Sequence, residues 1–291
     1  MTMRTRGEKI FGIFNAILLT AIAMVCIYPF IYILAVSLSD AKSVNMGAVW
    51  LLPKGINLNS YSQIVHKEGI WTAYLNSFFY MFMGTAVSMA LTTLGAYALS
   101  KKRLVGHRFL NLFVVFTMWF NAGMIPMYLN FKNMGMLDNR WAIIFGFAIN
   151  TYNFVILRTY FANVPQALEE AAKIDGASDF KVLLKIYLPL AVPSLATVAL
   201  FYAVERWNSY FWPMILLKSD SKIPLQVVLK KMVVDMSSRM DSLNYGRDMT
   251  GTSEDGFIYS TMVIAMIPML ILYPFIQRYF VKGVMVGSVK G

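Results

Sequence analysis

Two groups of residues in this chain have types and spacings that chemistry can use. The first is Glu205-Arg206-Trp207-Asn208-Ser209-Tyr210, a charged, aromatic and amide-bearing stretch inside the apolar run 191–217. A charge within such a run is costly and faces a bundle interior or a wet cavity. Aromatic faces beside hydrogen-bonding groups suit a polyhydroxylated ligand, whose C–H face stacks while its hydroxyls need partners. The other reading, the commoner one for charges in apolar helices, pairs Glu205 with Arg206 across a subunit interface to fix packing. Trp207, Tyr210 and Trp212 then anchor near a membrane surface. Asn121, Asn150 and Asn153 stand in neighbouring apolar runs, where interhelical hydrogen bonds are the simpler role and ligand contact the alternative.

The second group lies in residues 163–193. Pro165 suits a first helical position, and Gln166 to Ala172 are helix formers with Glu169 and Glu170 near the positive end of the dipole. A short helix therefore runs to about Asp175. Gly176 tolerates a positive φ and ends it, and Ser178 or Asp179 caps a second helix carrying Phe180, Val182, Leu183, Leu184 and Ile186. The product is a helix-turn-helix. Its small residues Ala167, Ala171 and Ala172 let another backbone come close, and Glu169 and Glu170 offer carboxylates to a basic partner. The alternative is a polar connection whose amphipathic helices lie at a membrane interface.

No catalytic constellation accompanies these groups. His66 and His107 fall outside the apolar runs, Cys26 has no histidine near it in sequence, and no metal-ligand spacing occurs. A glycine-rich lysine loop for nucleotide phosphates is also missing, so any ATP-driven step belongs to another chain.

The elements that position these groups follow from composition. The 291 residues are 58% hydrophobic and only 14% charged, more apolar than soluble domains, where about 45–50% is typical. The apolar residues gather into runs of about 20, the length that crosses a bilayer. Six are marked at about 11–36, 70–99, 109–131, 141–161, 191–217 and 257–280. The first exceeds the length of a signal-peptide core, so it reads as a retained span. Six spans place both termini on one side. If that side is the cytoplasm, the inner segments, counted with Arg158 and Arg278 at the inner ends of their runs, carry fourteen Lys and Arg against five carboxylates, and the outer ones eleven against nine. The net charge of +11 is then mostly a topology signal, and no nucleic-acid partner is implied. The connection 162–190 is inside and 218–256 outside, the latter with the composition of a loop. One domain over 1–291 is expected, all-α and polytopic.

Glu170-Ala171-Ala172, three residues, Gly176, nine residues, Ile186 and then Leu188-Pro189 reproduce the EAA signature. The chain thereby resembles the permease subunits of binding-protein-dependent ABC importers. From about Asn121 onward it is similar to the sugar-importer branch that includes the second permease of maltose-type transporters. The residues that carry this are Ile125-Pro126-Met127-Tyr128 with Gly135-Met136-Leu137-Asp138, Asp175-Gly176-Ala177, Leu188-Pro189-Leu190, Trp207-Asn208 with Trp212-Pro213, and Gln277 to Gly283 with Val289-Lys290-Gly291.

The resemblance implies a non-catalytic transmembrane permease in a bacterial cytoplasmic membrane, passing a sugar or oligosaccharide inward. It implies a second homologous permease, two ATP-binding subunits that hold ATP and Mg, and an extracytoplasmic solute-binding protein, with no cofactor on this chain. The loop 162–190 becomes the coupling element. Glu170 makes the polar contact to the ATPase beside Glu169 and Asp175, Ala171 and Ala172 permit close seating, and Gly176 forms the turn. In that family the loop corresponding to 218–256 extends toward the binding protein. A non-sugar solute is the nearest alternative. An ion-coupled secondary transporter is further away, because no half-to-half similarity is visible in the chain.

Overall fold

A computed structural model of the chain describes residues 6–67, 69–120, 122–241 and 253–288. Among the described residues every regular element is a helix. In chain order these are α1 (Arg6–Ser37), α2 (Ala41–Asn45), α3 (Asn59–His66), α4 (Ile70–Ser100), α5 (His107–Phe116), α6 (Met124–Asn133), α7 (Arg140–Phe145) and α8 (Thr151–Ala162). There follow α9 (Gln166–Ile174), α10 (Asp179–Val182), a π-turn (Leu183–Tyr187), α11 (Leu188–Leu190), α12 (Val192–Asn208), α13 (Phe211–Leu216), α14 (Leu225–Asp241) and α15 (Glu254–Ser288). This is an all-α, polytopic membrane fold.

Among the described residues three helices are long and apolar enough to cross a membrane: Gly7–Ser37, Ile70–Ser100 and Asp255–Pro274. A fourth span is present if the pair Asp179–Leu190 and Val192–Asn208, bent by 86°, counts as one. The expected spans 109–131, 141–161 and 191–217 are each divided between two shorter helices. The break in 191–217 has a simple cause. Pro213 has no N–H, and its ring would collide with the carbonyl of Ser209 in a continuous helix. Accordingly α12 stops at Asn208 and α13 restarts at Phe211. In 141–161, α7 ends at Phe145 and Asn150 caps α8, its Oδ1 accepting from the backbone N–H of Tyr152 at 3.0 Å and of Asn153 at 3.3 Å. The bend between α11 and α12 falls between Pro189 and Pro193. The π-turn lies just before Pro189, whose missing N–H interrupts the regular helical ladder.

The contacts divide into two compact units. Residues 1–68 and 231–266 form one. In it α1 buries no described residue before Ala35, and a small core joins Ala35, Val36, Val44 and Val49, with Tyr32 edge-on to Tyr259 at 5.9 Å. Ser260 Oγ donates to the Ser37 carbonyl at 3.2 Å.

Residues 69–230 and 267–291 form the other, in which α4 packs along both α12 and α8. Lipid tails are as apolar as the helices, so packing depends on close approach and polar contacts between them. Thr92 and Tyr202 share a hydroxyl–hydroxyl bond of 2.7 Å within a core of Ala96, Tyr97, Phe154, Leu157, Phe161 and Val198. A second core gathers Tyr80, Phe131, Ile143, Ile144, Leu216 and Val227. Beside it Asp138, at φ +53, accepts from the N–H groups of Lys218 and Ser219 at 3.0 Å, from Ser219 Oγ at 2.5 Å and from Lys222 Nζ at 2.7 Å. This contact pins the start of the 218–256 segment.

At Gly95, α4 approaches α8 so closely that a Cβ would stand 2.8 Å from Phe154 Cε2. Gly95→Leu is expected to cost about 1–3 kcal/mol by overpacking and to lower the unfolding midpoint of the purified protein. Gly12→Leu, which has nothing within 4 Å of its would-be Cβ, is expected to leave that midpoint unchanged. Equal midpoints for the two variants would contradict the packing described.

Candidate functional site

α9 has two faces with opposite characters. The inward face centres on Glu169, whose residue surface is only 8% exposed. Its Oε2 accepts from Lys101 Nζ at 2.5 Å and Tyr187 Oη at 3.0 Å, and its Oε1 lies 3.1 Å from Lys173 Nζ and 3.5 Å from Arg103. Lys101 is equally buried, with its ammonium 4.2 Å from the Tyr97 ring centroid and 3.7 Å from that of Tyr187. Asp179 extends the cluster, pairing with Arg103 and lying 3.2 Å from Lys173. Tyr97 Oη donates to the Asp179 carbonyl at 3.2 Å. The end of α4, α9, the start of α10 and the π-turn therefore meet at one buried carboxylate.

The outward face is a stripe at helical spacing: Ala167, Glu170, Ala171 and Ile174 are all exposed, and Ile174 is 87% exposed. Glu170 accepts from Gln166 Nε2 at 2.7 Å through Oε1. Asp175 closes α9, and Gly176 takes φ +78, where an L side chain is strained. Ser178 caps α10 by accepting from the Lys181 N–H. Beyond the turn, Phe180 and Leu184 are exposed as well. Small residues flanked by apolar ones and a single carboxylate make a surface for a close-fitting protein partner.

On α12 the polar residues separate by face. Arg206 is buried and donates to the carbonyl oxygens of Ile143 at 2.8 Å, Ile144 at 3.5 Å and Phe147, and to Ser88 Oγ at 3.2 Å. It thus caps the open C-terminal carbonyls of α7, where a cation is favoured, and its Cδ and Nε would stand 3.1 Å from a Cβ on Gly84. Trp207 is 1% exposed and edge-on to Tyr74 at 5.8 Å and Phe78 at 5.1 Å. Glu205, Asn208 and Tyr210 are exposed, and Asn150 Nδ2 donates to Glu205 Oε2 at 3.3 Å.

A model of the family "binding-protein-dependent transport system inner membrane component" matches residues 8–286. The chain belongs to that family. It is 41% identical over 269 residues to the polygalacturonan/rhamnogalacturonan transport system permease protein YtcP of Bacillus subtilis (strain 168), covering 92% of this chain and 94% of that one. Protein LplC of the same organism is 37% identical over 289 residues, covering 99% and 97%. Among solved structures, a chain of a bacterial ABC transporter involved in the import of the acidic polysaccharide alginate is 43% identical. It superposes with a TM-score of 0.87 and covers 96% of this chain and 100% of that one. A second alginate transporter chain, crystallised with a periplasmic protein bound to alginate pentasaccharide, is 12% identical with a TM-score of 0.61 and shares the fold.

In this permease chain the residues singled out by sequence are not all brought together. Glu170, Ala171, Asp175 and Gly176 lie on the exposed side of the helix-turn-helix and Ala172 is half-buried, but Glu169 turns inward. The expectation that both carboxylates face a partner is corrected at Glu169, because three cations and a tyrosine of this chain already occupy it. Arg206 and Trp207 are likewise removed from any exposed path, and Arg206 hydrogen-bonds backbone and Ser88 instead of Glu205. Asn121, and residues 242–252 of the outer segment, lie outside the described residues. Lys101, Arg103, Lys173 and Tyr187 had no assigned role beyond loop charge. The signal available was the basic Lys101-Lys102-Arg103 turn set against the acids of 169–179.

Burial pushes the Glu169 carboxyl up, but hydrogen bonds from Lys101 and Lys173 outweigh it and hold the group below its ordinary 4.5. Arg103 holds Asp179 below its ordinary 3.8, while burial lowers the Lys101 ammonium. For carboxyls depressed in the folded state, stabilisation is complete above the ordinary values and is lost as pH falls through the folded ones. Unfolding midpoints measured from pH 7 to pH 3 are therefore expected to fall steeply below about pH 4.5. Glu169→Gln is expected to start less stable by about 3 kcal/mol, the low end for a broken buried pair, and to narrow that gap to the unmodified protein as pH falls. Parallel curves would exclude the charge cluster as the cause.

Proposed function

We propose that this chain is the membrane subunit of an ATP-driven importer of an acidic oligosaccharide. It receives the sugar from an extracytoplasmic binding protein and passes it into the cytoplasm of a bacterial cell. A second, homologous permease completes the passage, and two ATP-binding subunits supply ATP and Mg. This chain acts as one permease domain over 1–291, with both termini in the cytoplasm and no cofactor or catalytic residue of its own.

The observation that carries the reading is the outward stripe of α9. Ala167 and Ala171 leave room for a groove wall to approach, Ile174 offers apolar area, and Glu170 is placed to meet a cation of the ATP-binding subunit. Such a stripe on a soluble-facing helix, joined through α10 and a bent helix to a span, converts a push from outside the bilayer into displacement of that span. The acidic cargo is supported by the relatives, one a polygalacturonan/rhamnogalacturonan transport system permease and one from a transporter involved in the import of alginate. A neutral oligosaccharide is the second reading, favoured by exposed Glu205 beside Asn150, since a carboxylate on the passage would repel a polyanion.

The test is uptake into proteoliposomes that hold this chain, its genomic-neighbour permease and ATP-binding subunits, and the neighbouring binding protein. Oligogalacturonate and a neutral pentosan oligosaccharide are supplied separately. ATP-dependent entry of the acidic sugar alone is expected, and entry of the neutral one alone would favour the second reading. Glu170→Arg and Gly176→Pro are each expected to release the ATP-binding subunits and to cut uptake by at least about tenfold, the scale of a typical coupling energy. Helical circular dichroism is expected to stay unchanged. Full uptake in both variants would refute the stripe's role.

A further inference from the structure

We infer that Lys101 is a positioning residue for coupling: it fastens the Glu169 carboxylate of α9 to the end of α4, so that a displacement of α9 moves α4 together with α12. The inference rests on the function proposed above, because it concerns how α9 passes on the motion of the ATP-binding subunits.

Two routes lead from α9 into the bundle. The covalent one runs through the turn at Gly176, then α10, the π-turn and α11, and then an 86° bend into α12. Each of these is a place where backbone can absorb a displacement. Glycine has no side chain to brace the turn, and π-turns and sharp bends are the weak points of helices. The ionic route is one contact long, Lys101 Nζ to Glu169 Oε2 at 2.5 Å.

The other cations of the cluster do not substitute for Lys101. Lys173 sits on α9 itself, four residues after Glu169, so its 3.1 Å pairing ties α9 to α9. Arg103 has a side chain 53% exposed and lies 3.5 Å from Glu169, where water competes for it. Lys101 is 9% exposed and held between the Tyr97 and Tyr187 rings. Swinging it out would forfeit the ion pair and both cation–π contacts together and leave a buried carboxylate short of a partner.

The far end of this link matters because α4 and α12 are locked to one another elsewhere. Thr92 bonds Tyr202, Arg206 bonds Ser88, and Trp207 packs on Phe78. A push delivered through the covalent route alone reaches the end of α4 only through the Tyr97 hydroxyl on the Asp179 carbonyl, the exposed Arg103–Asp179 pair and the Tyr97–Tyr187 ring contact, and the remainder is taken up in the bend. Delivered to both, it displaces the pair as one body, which is how packed elements shift between discrete arrangements.

The experiment uses the assembled complex with Lys101→Met and Lys101→Arg, each in a Cys26→Ser background. Spin labels are placed at exposed Val105, beside the end of α4, and exposed Leu168 on α9. Inter-label distance is measured with and without a non-hydrolysable ATP analogue. In the unmodified complex and Lys101→Arg it is expected to change by less than about 1 Å, and in Lys101→Met by more than about 2 Å, the size of helix shifts in switching transitions. Sugar moved per ATP hydrolysed is expected to fall about tenfold in Lys101→Met while the ATP-binding subunits still copurify, and the arginine is expected to restore it. A constant distance in Lys101→Met would overturn the inference. So would release of the ATP-binding subunits or failure to assemble in that variant, which would make Lys101 a seating or folding residue, and so would failure of arginine to rescue. If the unmodified complex moves neither saccharide, the proposed function fails, while the distance measurement still decides the role of Lys101.

Discussion

Burying one carboxylate organises the loop-side end of this permease. Glu169 can lie inside only if cations and a hydroxyl meet it, because an isolated ionised group away from water is far too costly. Its partners come from the end of α4, from one turn further along α9 and from the π-turn before α11. Satisfying Glu169 therefore fixes where α9 lies relative to the two chain segments that enter the bundle. The burial contributes little net stability of its own, since desolvation opposes the attraction, and its effect is to select one arrangement of the loop over others. With Glu169 turned inward, helical periodicity turns Ala167, Glu170, Ala171 and Ile174 outward together.

A second constraint acts inside the bundle. Where a helix is interrupted at membrane depth, its freed backbone groups must find partners within the protein. The interruption between α7 and α8 is met by side chains from α12 and by its own cap. Arg206 collects the carbonyls of Ile143, Ile144 and Phe147, the Tyr202 hydroxyl accepts from the Asn150 N–H at 3.1 Å, and Asn150 caps α8. Buried Nε of Arg206 has no hydrogen-bond partner, so the fit is incomplete, yet the guanidinium's flat fork still serves three carbonyls at once. These polar residues of α12 thus hold α7, α8 and α4 in register.

Local features were legible in the sequence and distant pairings were not. The helix ending near Asp175, the turn at Gly176 and the cap at Ser178 are set by neighbours within a few residues, and all three are found. Pro165 lies one place earlier than expected, at the cap. The breaks in 141–161 and 191–217 were hidden because a hydropathy run averages over the very residues that interrupt it, though Pro213 marked one of them. The pairing of Glu205 and Arg206 across a subunit interface is set aside for Arg206 because that side chain is buried on carbonyls and Ser88 of its own chain, partners far away in sequence. Lys101 and Glu169 stand 68 residues apart, and nothing local in either segment announces the other. The basic turn read as a topology signal was also a set of ligands for a carboxylate.

The two faces of α9 also explain why its carboxylates differ in consequence although they are adjacent. A charge replaced at Glu170 meets solvent in the isolated chain, so its cost appears only when a partner seats on the stripe. A charge removed at Glu169 leaves Lys101 buried between two aromatic rings with its strongest partner gone, so its cost is present in every state of the protein. The outward residue is therefore free to tune affinity for a partner without altering the fold. The inward one fixes where α9 lies. Neighbouring residues stand about 100° apart around α9, which is enough to put one carboxylate on the exposed face and the other in the core.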